Sequence, residues 1–138
     1  MNAGARRDLL IVTCAISAGV HAALVPELFA ESVVTGGGFI AATVLLALLI
    51  LGLTLRPDSL TVVAATALTF VGLIVSYMVA STRGIPILHP DRDPVDAVGL
   101  ITKAVELLGT ALAVSIVRES RDACTAWFPF RHTEGARP

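Results

Sequence analysis

The stretch GGGFIAATVLLALLILGLTL, residues 36–55, runs for twenty consecutive positions without an ionisable side chain. As a helix it matches a hydrocarbon core of roughly 30 Å, which needs about 20 apolar residues. A segment in hydrocarbon must satisfy its backbone polar groups internally, so it has to be helical. Three further apolar segments follow the same rule, at about 9–29, about 60–80 and about 94–118. The third, LTVVAATALTFVGLIVSYMV, is β-branched enough to pass for a buried strand, but its length favours a helix. Together they fill most of a 138-residue chain that is 55% hydrophobic, with a mean hydropathy of +0.82. The predicted fold is therefore all-α: a polytopic membrane protein with four transmembrane helices in an antiparallel bundle. Residues 1–138 form a single domain, with 119–138 as a cytoplasmic tail and no soluble domain of useful size. The connection RPDS, residues 56–59, is short enough to make helices two and three a hairpin.

Basic residues near helix ends set the orientation, because cytoplasmic loops retain arginine and lysine. Arg6, Arg7, Arg56, Arg118, Arg121, Arg131 and Arg137 fall on one side, and only Arg83 and Arg92 on the other. The prediction is N-in/C-in, with an outer face holding Glu27, Glu31, Asp91, Asp93 and Asp96. That acidic face has an ordinary origin in the sorting of basic residues inward, and an attraction for cations is the functional alternative. The opening ARRDLLI followed by an apolar run also has the form of a secretory or twin-arginine signal, with Val20-His21-Ala22 as a cleavage site. Retaining helix one gives an even number of spans and a consistent charge pattern. Cys14 and Cys124 both fall toward the reducing side and read as free thiols.

Helices in lipid associate through small residues and a few polar contacts. Ala15, Gly19 and Ala23 on helix one, Gly72, Ser76 and Ala80 on helix three, and Gly109 and Ala113 on helix four recur at four-residue spacing. They are expected contact seams, within the bundle or between copies. The loop TRGIPILHPDRDPVD is kept extended by Pro86, Pro90 and Pro94. Asp93 is expected at the N-cap of helix four, with Pro94 first and Asp96 third. Trp127, Phe128 and Phe130 read as an interfacial anchor.

The polar residues inside the spans are the candidates for function. Asp96, Gly99, Lys103, Glu106 and Thr110 follow a 3,4,3,4 spacing and share one helix face. At 1.5 Å per residue Lys103 lies roughly 10 Å and Glu106 roughly 15 Å below Asp96, near the midplane. Such charges cost about 2.5–3.5 kcal/mol each even on a lenient scale, so this face is predicted to turn inward. Cys14, Ser17 and His21 share a face of helix one, with His21 at the depth of Lys103, Ser17 at that of Glu106, and a bend expected at Pro26. Tyr77 lies in the same outer half. The candidate pocket is His21, Tyr77, Lys103 and Glu106, with Glu27, His89 and Asp91 as an outer mouth. The ordinary alternatives are a Lys103 that snorkels outward, a structural Lys103–Glu106 pair that fixes helix register, and a His21 that bonds between helices.

No cofactor can be named. The chain has no His-x-x-x-His, Glu-x-x-His or Cys-x-x-Cys spacing, so no metal site is assigned; a haem between His21 and His89 would have one ligand outside a span. No catalytic triad, phosphate loop or basic tract for nucleic acid is present. The segments SAGVHAALVPE and TRGIPILHPDRDPVDAVGLITKAVELLG resemble uncharacterised small four-helix integral membrane proteins of high-GC actinobacteria, through HxxxxPE in helix one and TRGIPxLHPxxDPVDxxGLxTKAVE into helix four. The resemblance implies the same architecture in a bacterial plasma membrane and carries no activity. The expected partners are the lipid bilayer and either another membrane protein or further copies of the chain. The expected role is an accessory or structural subunit rather than an enzyme, with a small-molecule, metal or proton-binding module as the alternative.

Overall fold

The computed structural model describes residues 2–83 and 96–126. Four helices follow in chain order: α1 (Ala3–Glu31), α2 (Val33–Leu55), α3 (Leu60–Arg83) and α4 (Ala97–Ala126). Each is long and apolar enough to cross a membrane. Among the described residues there is no strand. α1 packs against α2 and α4, and α3 against α4; α2 and α3 meet least, and the diagonal pairs do not approach. The result is an antiparallel four-helix bundle.

Local chemistry sets the helix ends. Asn2 caps α1 by accepting from Ala5 N–H at 2.8 Å, so the helix begins well before the expected residue 9. Arg6 and Arg7 therefore lie on helical turns, where Arg6 pairs with Glu119 of α4 at 2.6 Å and Arg7 approaches Asp58 of the α2–α3 connection at 3.7 Å. These pairs place the start of α1, the end of α4 and the RPDS turn at one end of the bundle. α1 runs past Pro26 to Glu31. One residue, Ser32, then serves both neighbours: its N–H donates to Leu28 C=O at 2.9 Å, and its hydroxyl accepts from Thr35 N–H at 3.4 Å. Gly36 makes this reversal compact, because a Cβ there would strike the Phe29 ring.

α4 begins at Ala97, and Asp96 caps it, accepting from Gly99 N–H at 2.8 Å. The helix extends beyond the expected residue 118 to Ala126, so the first part of the expected tail is helical. Asp93, Pro94, the prolines of the preceding loop, and the Trp127–Phe130 anchor lie outside the described residues, as does the side chain of Cys124.

Burial is inverted relative to a protein that folds in water. Val33 and Leu68 are 72% and 73% exposed, while Ser17, Thr66 and Glu106 are fully buried beside Leu10, Leu46 and Phe70. An exterior this continuous in leucine and valine requires an apolar solvent. The chain is a multi-pass membrane protein, with the bilayer in contact with those faces.

The small-residue seams divide. Gly109 and Ala113 of α4 are buried, and a Cβ on Gly109 would strike Phe70 and crowd Thr13. Ala15, Gly19 and Ala23 of α1, and Gly72 and Ser76 of α3, face outward, with nothing within 4 Å of a Cβ built on either glycine. The reason is geometric: α1 turns Thr13, Ser17 and His21 inward and α3 turns Val63, Thr66 and Phe70 inward, which rotates these rows away from the bundle interior.

Candidate functional site

The polar face of α4 is buried where α1, α3 and α4 adjoin. Glu106 has no exposed surface, and both carboxylate oxygens are engaged. Ser17 of α1 donates its hydroxyl to Oε1 at 2.9 Å. Lys103 Nζ, one turn earlier on α4, reaches Oε2 at 2.6 Å. The same ammonium donates to the Leu73 carbonyl of α3 at 3.3 Å, an oxygen that already serves the α3 ladder and has a second lone pair to offer. It also stands 5.5 Å from the Tyr77 ring centroid. Lys103, the only lysine of the chain, is 14% exposed.

Lys103 thus does not snorkel toward the start of α4. Its side chain bends the other way, deeper, because the carboxylate and the Leu73 carbonyl give it a satisfied position inside the bundle. The four groups bind three helices together with no net charge. Opposite charges in contact, each with an additional hydrogen bond, are the arrangement that limits the desolvation cost of a buried pair.

His21 is 6% exposed but bonds within its own helix. Its Nδ1 lies 2.8 Å from the Ser17 carbonyl oxygen. A carbonyl only accepts, so Nδ1 carries a proton in this arrangement. The ring also meets Phe39 of α2, with centroids 5.1 Å apart. His21 therefore supports the Ser17 turn from behind and makes no hydrogen bond to Lys103 or Glu106. Tyr77 flanks Lys103, and its hydroxyl is buried without a hydrogen-bond partner among the described residues. That hydroxyl sits against Gly99: a Cβ there would come within 2.8 Å of the oxygen and 2.6 Å of Asp96 Oδ1.

Of the candidate pocket, Lys103, Glu106 and Tyr77 come together, and His21 joins them only through Ser17. Of the outer mouth, Glu27 is exposed on α1, while His89 and Asp91 lie outside the described residues. Two participants were not among the candidates. Ser17 was placed at the correct depth, and its hydroxyl is the signal that identifies it. The Leu73 carbonyl has no sequence signal, because every residue carries one. Among the described residues no group of three or more His, Cys, Asp or Glu side chains converges in a way that holds a metal ion. No protein family, curated protein or solved structure matches this chain.

Proposed function

We propose that this chain is an accessory or structural subunit of a complex in a bacterial plasma membrane, with the bundle serving as a packing element rather than a reaction centre. The observation that carries this reading is the outward direction of Gly19 and Gly72, whose Cβ positions meet nothing within 4 Å. Small residues on an exposed face let a neighbouring helix approach closely, and close approach is the main source of helix association in lipid. The closed Lys103–Glu106–Ser17 set complements this, since the Glu106 carboxylate is fully buried with a partner on each oxygen. The resemblance to small actinobacterial four-helix proteins supports the architecture and the bacterial plasma-membrane setting, and the distribution of arginines supports the N-in/C-in orientation.

The test is purification in mild detergent from native membranes, with mass measurement of the intact assembly. A co-purifying membrane protein or a defined oligomer, lost in Gly19→Leu or Gly72→Leu while the monomer keeps its thermal midpoint, supports the reading. A strictly monomeric wild type with no companion protein overturns it.

A second reading follows from the Tyr77 hydroxyl, which is buried without a hydrogen-bond partner among the described residues. Orphaned buried hydroxyls are uncommon and mark a place where a further polar group fits. A small-molecule, metal or proton-binding module would use Tyr77 with Lys103 and Glu106. Thermal midpoints across pH, with and without divalent metal, for wild type, Glu106→Gln and Lys103→Met separate the two. Shifts found only in the wild type favour the module, and parallel flat profiles favour the structural pair.

A further inference from the structure

At the end of the bundle that holds the RPDS turn, α3 and α4 leave a groove of about 380 Å³ between them. Its apolar walls are Ala64, Ala67 and Leu68 of α3 with Ala113 and two valines, Val114 and Val117, of α4, and Arg118 and Arg121 line the same groove. The opening has a simple cause. Three of the six apolar wall residues are alanines, whose methyl groups leave space between the helices that longer side chains would fill. The volume lies in the range of small-molecule pockets.

We infer that this groove is a binding site for one anionic phospholipid, with an acyl chain along the alanine walls and the headgroup phosphate on Arg118 and Arg121. Two observations select that occupant. The walls are apolar and open on an exterior that faces hydrocarbon, which suits an alkyl chain. The mouth is cationic: both arginines are exposed, and neither forms an ion pair among the described residues, whereas Arg6 and Arg7 of the same end are matched with Glu119 and Asp58. They are three residues apart on one helix, so their guanidinium groups occupy neighbouring positions on one face. Guanidinium groups suit phosphate oxygens through paired, charge-assisted hydrogen bonds. They also lie where α4 leaves the span, at headgroup level, while the alanines lie one to two turns deeper. Under the positive-inside orientation this is the cytoplasmic leaflet, where basic pockets between helices select anionic headgroups. The site is separate from the Lys103–Glu106 set and independent of the subunit reading.

The test is native mass spectrometry of the full chain, released from nanodiscs of equimolar phosphatidylglycerol and phosphatidylcholine of matched chains. The wild type is expected to retain one phosphatidylglycerol in preference to phosphatidylcholine. Arg118→Gln and Arg121→Gln should each reduce that preference about fivefold, the contribution of one basic side chain at an anionic surface. Arg56→Gln, which removes an exposed charge of the same end outside the groove, should leave it unchanged. Ala64→Phe, which fills the groove, should reduce retention of both lipids while the thermal midpoint shows the bundle still folded.

Equal retention of the two lipids by the wild type overturns the inference. So does an Arg56→Gln effect as large as those of Arg118→Gln and Arg121→Gln, which would mean diffuse attraction. An Ala64→Phe variant that changes the protein's oligomeric mass and not its lipid count assigns the groove to a helix of another copy and also overturns it.

Discussion

At the scale of single residues, the clasp around Glu106 is the feature with the largest energetic leverage. Removing one partner of a buried ion pair strands the other, at about 3–5 kcal/mol. Glu106→Leu and Lys103→Met are each expected to fall in that range in reversible unfolding from mixed micelles. The double variant should recover most of the loss, because two apolar side chains leave no stranded charge. A double variant as unstable as the sum of the singles would show that the residues do not act as a pair. Ser17→Ala removes one hydrogen bond to a carboxylate and should cost about 1–2 kcal/mol; in a Glu106→Gln background that cost should shrink. Much of this was legible beforehand. The fixed helical rise put Ser17 opposite Glu106 from residue numbers alone, and the two are hydrogen-bonded. The direction of Lys103 was not, since an outward snorkel and an inward pair share the same spacing. What decides between them is the Leu73 carbonyl on another helix, a contact that depends on how α3 is rotated.

At the scale of elements, identical glycines have opposite roles according to the face they occupy. Gly109→Ala forces a methyl against Phe70 and Thr13, so it should destabilise the bundle by about 1–3 kcal/mol, the usual cost of overpacking. Gly19→Ala and Gly72→Ala meet open space, so each should leave the monomer within about 0.5 kcal/mol of wild type, the norm for surface changes. Thermal unfolding of the three variants side by side checks this; equal effects at all three positions would place the outward rows inside a packed interface. Asp96→Ala should cost about 1 kcal/mol through loss of the α4 cap. The small-residue rows were visible in the sequence, but their direction was not. Four-residue spacing identifies a face, and only the rotation of the whole helix says what that face meets. The helix termini departed for a related reason: Asn2 and Asp96 cap α1 and α4 with single side-chain bonds that hydropathy does not register.

At the scale of the molecule, four spans and their antiparallel order were legible because hydrocarbon thickness dictates segment length and backbone bonding dictates helix. Which end faces the cytoplasm is an expectation from arginine placement, and it has a direct check. With Cys14 and Cys124 replaced, Asp58→Cys in the RPDS turn and Thr82→Cys near the far end of α3 should react with membrane-impermeant maleimide from opposite sides. Labelling of Thr82→Cys, and not Asp58→Cys, in intact cells is the expected result; the reverse pattern would invert the orientation and put the arginine-lined groove in the outer leaflet.

The hydrogen bond between Ser17 and Glu106 spans 89 residues of chain and joins the first helix to the last. At about 5–20 residues per second of synthesis, Ser17 emerges roughly 4–18 s before its acceptor. Through that interval α1 can settle against α2, since their connection is the single residue Ser32, but its hydroxyl has no carboxylate to meet. α4 arrives last and carries both members of the ion pair, so it is the span with most to gain from finding its neighbours already in place. The order of synthesis therefore presents the charged helix last, to two helices, α1 and α3, that carry its hydrogen-bond partners. A chain truncated before α4 would leave the Ser17 hydroxyl without its carboxylate inside the membrane.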